Sequence, residues 1–230
     1  QAIDSIRRRH RVPMLVGGTM LYFRALRRGL ASLPSADASI RAEIDERARL
    51  VGWPAMHQEL AAIDARSAGR IQPNDAQRIQ RALEVFRISG RTLSEFHSEA
   101  QAPDPNLAFT TYAWVPSDRE RLYAAIGQRF RAMMQAGLLE EVRRLHQRGD
   151  LHPAMPAIRC VGYRQLWEYL DGKVSLDVAT ENAIVATRHL ARRQFIWLRS
   201  ETDFSSLDAL EPASGAHIEN VVSNLCAQRV

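Results

Sequence analysis

The chain has 230 residues, 46% of them hydrophobic and 25% charged, with a formal net charge of +5. Such a composition excludes a disordered tail or a coiled coil and allows one sizeable core or two small ones. No apolar run approaches the roughly 20 residues that span a bilayer, no charged-then-apolar signal pattern opens the chain, and neither Cys160 nor Cys226 has metal-ligand spacing around it, so a cytoplasmic protein with reduced thiols and no membrane association is expected.

In chain order, "AIDSIRRRHR" reads as a helix already under way at Gln1, so the visible start does not resemble a natural beginning and a fragment is expected. "VPMLV" reads as a strand that breaks at Gly17-Gly18-Thr19 into the helical "MLYFRALRRG", with Thr19 as an N-cap candidate. "LASLPSAD" is a proline-bearing loop that offers Asp37 as the next N-cap. To about Ser98 the pattern is nearly all helical: "ASIRAEIDERARLVG", "WPAMHQELAAID", and "NDAQRIQRALEVFRISG", capped by Asn74 or Asp75 and closed by Gly90. After the loop "SEAQAPDPN", the strand "LAFTTYAWV" and the helices "DRERLYAAIGQRFRAMMQAG" and "LLEEVRRLHQRG" restore αβ character. The fold class is therefore α/β with an all-helical insertion: residues 1–32 as part of the α/β core, 33–105 as the insertion, and 106–230 as the core continued, ending in a basic helix and a C-terminal helix. Two visible strands are few for such a core.

Lys173 is the single lysine among 31 basic residues. Arginine presents a planar fork of donors suited to phosphate oxygens, although an arginine-rich coding bias gives the same count, so position must decide. In the helix from Asp118 to Ala136, Arg129 projects into the stripe of Leu122, Ile126, Phe130 and Met133, where a buried charge needs either a carboxylate or an anionic ligand. Arg78 and Arg81 stand together beside the apolar face of Ile79, Leu83 and Phe86, as a solvated surface or a contact site. In the helix "LDVATENAIVATRHLARRQFIWLRS", Arg188, Arg192 and Arg199 share an edge with Arg193 beside it, and Trp197 is close by, either as an RNA-facing aromatic or as core. Around Gly162, Arg159 and Arg164 flank a turn that is either a phosphate clamp or a plain capped loop.

Six stretches, "LVGGTMLYFRALRRGL", "LPSAD", "PNDAQRIQRALEVFRISGRTLSE", "QRFRAMMQAGLLEEV", "IRCVGYRQLWEYL" and "TRHLARRQFIWLR", in this order, resemble the tRNA dimethylallyltransferase (tRNA isopentenyltransferase) family. The resemblance covers the chain to about Asp203. It implies a P-loop kinase-like core of the nucleotide-binding type with a helical insertion, and transfer of a dimethylallyl group from dimethylallyl diphosphate to N6 of the adenosine 3′-adjacent to the anticodon in tRNA. Gly17 and Gly18 would line the reaction chamber, Thr19 would act there beside the tRNA, and Arg129 would hold the diphosphate, with Mg2+ as the expected cofactor. The tRNA would be contacted by Arg41 and by Gln77, Arg78, Ile79, Gln80 and Arg81. A second contact loop would run through Arg159, Cys160, Val161, Gly162, Tyr163 and Arg164. The basic helix would add Arg192, Arg193, Gln194, Phe195, Ile196, Trp197, Leu198 and Arg199, with Gln194 turned toward a base edge. The target adenine must be extruded from the anticodon loop to react.

One motif of the family is missing. No G-x-x-x-x-G-K-[ST] occurs, and Lys173 in "LDGKVS" has the wrong context, so the family's P-loop, its catalytic aspartate and most metal ligands are expected before Gln1, and the chain alone is expected to be inactive. A monomer is expected. Two other classes fit parts of the pattern: a P-loop small-molecule kinase, which gives the basic helix no role, and a non-catalytic RNA-binding module, which needs no buried arginine.

Overall fold

The computed structural model describes residues 1–99 and 107–227. They form two compact units, one of residues 1–20 with 110–230 and one of residues 21–109. Residues 21–32 thus group with the helical unit, where the sequence suggests a border at 33. The other border, at 105, and the loop residues 100–106 lie outside the described residues.

The chain opens with α1, Ala2–Arg8. The strand expected at Val12–Val16 does not form. A strand is held only by a neighbour's hydrogen-bond ladder, and no described residue runs alongside this one, so Met14, Leu15 and Val16 stay exposed, Val16 at 88%. Met20–Arg28 makes α2.

In the helical unit, α3 (Ala38–Val51) starts at Asp37, whose carboxylate accepts from the backbone N–H of Ser39 and Ile40. It leads into α4 (Trp53–Ile63), the short α5 (Ala65–Ala68) and α6 (Ala76–Ser89). Asp75 caps α6, and Gly90, at φ 70°, ends it in the left-handed conformation that glycine adopts without strain. Thr92 and Glu95 form a capping box on α7, Leu93–Ser98. Ile44, Met56, Leu60, Ile79 and Leu83 are buried together where α3, α4 and α6 meet. Asp64, also buried, accepts from the N–H groups of Ser67 and Ser94, both at 2.9 Å, and so fixes the starts of α5 and α7 with one carboxylate.

In the other unit, β1 (Tyr112–Val115) is shorter than the expected 107–115 and pairs in parallel with β2 (Ser205–Asp208), Tyr112 opposite Ser205. Asp118 caps α8, Arg119–Gln135, and α9 (Leu138–His146) follows after Gly137. Then come α10 (Tyr163–Leu170), α11 (Leu176–Arg199) and α12 (Pro212–Ala227). The small side chains of Ala179 and Ala183 let α11 pack closely on two neighbours at once. Ala179 lies in a core with Leu139, Val142, Leu166 and Trp167, while Ala183 and Ile184 meet Ile126 and Phe130 of α8.

Candidate functional site

The opening segment and α11 are directly linked. The Gln194 side-chain amide donates to the Gly18 carbonyl at 2.9 Å. A Cβ at position 18 would collide with that amide nitrogen, so any larger residue there would push the end of the Gln194 side chain aside. Gln194 thus commits one of its N–H groups to the chain's own backbone. Gly17 and Thr19 are exposed, Thr19 immediately ahead of α2. Gln194 also lines a cavity of about 400 Å³, together with Trp114 of β1, Arg121 and Leu122 of α8, and Phe195 and Leu198 of α11.

Arg129 is not buried, contrary to the expectation from its stripe. The buried arc of α8 is centred on Phe130, with Ile126 and Gly127 on either side, and at about 100° per residue Arg129 turns out of that arc. Leu122 and Met133, which belong to the stripe in the sequence, are only its flank. Among the described residues Arg129 has no carboxylate partner, whereas Arg131, farther round the same helix, pairs with Glu181 at 3.0 Å. Among the described residues no ion pair holds Arg129, and its exposed charge carries no burial cost.

On α11, Arg192, Arg193, Ile196 and Arg199 are exposed, and Gln194, Phe195, Trp197 and Leu198 are half-buried. Arg188, grouped with them by helical spacing, lies over the ring of Tyr123, 5.5 Å from its centroid, and its Nε is buried without a hydrogen-bond partner. Arg159 and Cys160 in the loop before α10 and Arg164 in its first turn are exposed, and Val161 is half-buried. Gly162 is buried at φ 96°, its N–H donating to Gln165 Oε1 at 2.9 Å, and an added Cβ would lie 3.4 Å from the ring of Phe130. Its close approach is to the core, not to an outside partner. The Tyr163 hydroxyl donates to Glu141, a hydrogen bond that together with burial raises the phenol pKa.

The helical unit gathers its predicted residues around one that sequence reasoning missed. Glu84 is 0% exposed and accepts from Arg41 Nε at 2.9 Å, Arg41 Nη2 at 3.2 Å, Arg81 Nη1 at 2.6 Å and the Asp37 N–H at 2.8 Å. Burial pushes its pKa up, but the hydrogen bonds from both guanidinium groups and from the backbone outweigh this and hold it below the ordinary carboxylate value. Arg81 also donates to the Pro34 carbonyl at 2.6 Å. One helical turn away, Gln80 donates to Asp45 of α3 at 2.6 Å, and Arg78 pairs with Asp75. Gln77 is exposed, whereas Ile79, expected among the contact positions, is fully buried in the core of α3, α4 and α6, so its side chain cannot reach a partner. From sequence, Glu84 is only an acid three residues after Arg81. The burying partner, Arg41, comes from another helix.

The IPP transferase family model matches residues 1–201. A tRNA dimethylallyltransferase of Bordetella avium is 52% identical over 222 residues, covering 96% of this chain and 71% of that protein. Among solved structures, the tRNA isopentenylpyrophosphate transferase of Bacillus halodurans superposes with a TM-score of 0.62 at 28% identity, over 99% of this chain and 71% of its own. A eukaryotic dimethylallyltransferase, captured acting on tRNA, matches 97% of this chain and 60% of its own, with a TM-score of 0.71 at 25% identity.

Proposed function

The chain belongs to the IPP transferase family, and from that premise we infer that it transfers a dimethylallyl group from dimethylallyl diphosphate to N6 of the adenosine 3′-adjacent to the anticodon in tRNA. The observation that carries this reading is 52% identity to tRNA dimethylallyltransferases along 96% of the chain. Its structural neighbours are consistent with an α/β, P-loop-like fold, and the chain also carries a helical unit.

In the reaction a carbon–oxygen bond to diphosphate breaks, a carbon–nitrogen bond to N6 forms, and N6 loses a proton. Negative charge grows on the departing diphosphate, and donors already in place stabilise it most. Arg129 is proposed for that task because its guanidinium, exposed and unpaired among the described residues, keeps its fork of donors available. Thr19, exposed beside Gly17 and Gly18, is proposed to face the substrate adenosine. Arg192, Arg193 and Arg199, the loop around Arg159 and Arg164, and the seam of Arg41, Gln77, Arg78, Gln80 and Arg81 are proposed to take the tRNA backbone, which holds the anticodon loop open while the base is extruded.

Magnesium accompanies diphosphate in this reading. Among the described residues no group of three or more His, Cys, Asp or Glu could hold a metal ion, so these residues offer no ligand set and no step is derived through the ion. No helix among them is long and apolar enough to cross a membrane, and with tRNA as substrate a cytoplasmic monomer is proposed.

Labelled dimethylallyl diphosphate incubated with the full-length enzyme and undermodified tRNA tests the proposal. Label is expected in the RNA. Phosphorylation of a small molecule without RNA labelling would indicate a kinase instead, and tRNA binding without transfer would indicate an RNA-binding module.

A further inference from the structure

We propose that Glu84 is a positioning residue for RNA recognition, a buried carboxylate that holds Arg41 and Arg81 in fixed orientations from which their remaining donors meet the tRNA backbone. The inference rests on the reading that Arg41 and Arg81 contact tRNA. Each guanidinium is only partly engaged. Arg41 uses Nε and Nη2 on Glu84, leaving Nη1, and Arg81 uses Nη1 on Glu84 and Nη2 on the Pro34 carbonyl, leaving Nε. The two side chains are 42% and 27% exposed, against 0% for Glu84. The anion is therefore hidden and the cations are presented. The carboxylates of Glu84 and Asp37 balance the two arginines in charge, so what a phosphate would meet is the outward-facing guanidinium donors.

Long arginine side chains normally lose rotamer freedom when they bind. Here that freedom is already reduced in the free protein, since both guanidinium groups share one carboxylate anchored by the Asp37 N–H at 2.8 Å. Because Asp37 also caps α3, the guanidinium pair is tied to the backbone at the start of that helix as well as to α6. The carboxylate stays ionised at neutral pH, so the grip is permanent under working conditions.

Glu84→Gln tests this in the full-length enzyme. It keeps the shape and one acceptor oxygen but turns an amide toward a guanidinium. The Kd for tRNA is expected to rise about tenfold, while the KM for dimethylallyl diphosphate and the rate at saturating tRNA stay at wild-type values. A tRNA Kd within twofold of wild type in the folded variant would overturn the proposal. Arg41→Gln and Arg81→Gln separate the two readings: if neither weakens tRNA binding, the contact reading fails and the positioning role with it, and if they weaken binding but Glu84→Gln does not, only the positioning role fails. With both arginines replaced, adding Glu84→Gln should cost no further affinity; an equal further loss would mean that Glu84 acts on the fold alone. Should Glu84→Gln not fold, the wild-type protein still decides. The Arg41 Nε–H should exchange slowly with solvent in NMR without tRNA, and fast exchange would overturn the idea.

Discussion

Arg129 and Glu84 invert what their residue types suggest, for the arginine expected inside is outside and an acid with a surface-like i,i+3 neighbour is buried. An exposed guanidinium contributes little to folding. Arg129→Ala is therefore expected to melt within a degree or two of wild type while kcat/KM for dimethylallyl diphosphate falls about a hundredfold, the scale of losing one donor to a developing anion. Arg129→Lys should recover part of the loss through its charge but not a bidentate grip. Wild-type donor kinetics in a folded Arg129→Ala protein would remove the residue from the site. Both placements are hard to read in the sequence for the same reason. Helical spacing places side chains round one helix, but burial depends on which arc a neighbouring helix covers, and on α8 that arc runs through Gly127 and Phe130.

At the scale of elements, helix starts are legible because a cap is a local event. Asp37, Asp75 and Asp118 each accept hydrogen bonds from N–H groups two or three residues ahead. Asp37→Ala should destabilise the helical unit through loss of the cap, a shift of the midpoint readable by chemical denaturation. Strands are less legible. β2 is "SSLD", without an apolar alternation, and exists because Tyr112–Val115 lies beside it, whereas Val12–Val16 has the right composition and no described neighbour. On α11 the spacing identifies a basic edge, and the structure narrows it to Arg192, Arg193 and Arg199 because Arg188 turns to Tyr123. Arg192→Ala or Arg199→Ala is expected to lower the slope of log affinity for tRNA against log salt by about 0.7 to 0.9 for each phosphate that is no longer neutralised, with donor binding unaffected. An unchanged slope would take α11 off the RNA.

For the whole molecule, the described carboxylates that are buried, Asp64 and Glu84, both lie in residues 21–109. For each, burial raises the pKa, and hydrogen bonds more than reverse this: from Ser67 and Ser94 to Asp64, and from Arg41, Arg81 and the Asp37 backbone to Glu84. A carboxylate with a depressed folded-state pKa contributes stability that is complete above its unfolded-state value, near 4, and is lost as pH falls through the folded-state value. Calorimetry from pH 7 to pH 3 should show the transition of the helical unit falling in temperature faster than that of the other unit. Equal shifts would mean that neither carboxylate matters to the unit's stability. The hydrogen bond from Gln194 to Gly18 joins positions 176 apart in sequence. Its consequence belongs to biosynthesis. At about 5 to 20 residues per second, Gly18 waits roughly ten to thirty-five seconds on the ribosome before Gln194 is made and can bond to it. During that interval the opening segment lacks this tether, and a translational stall before Gln194 is added would prolong the wait.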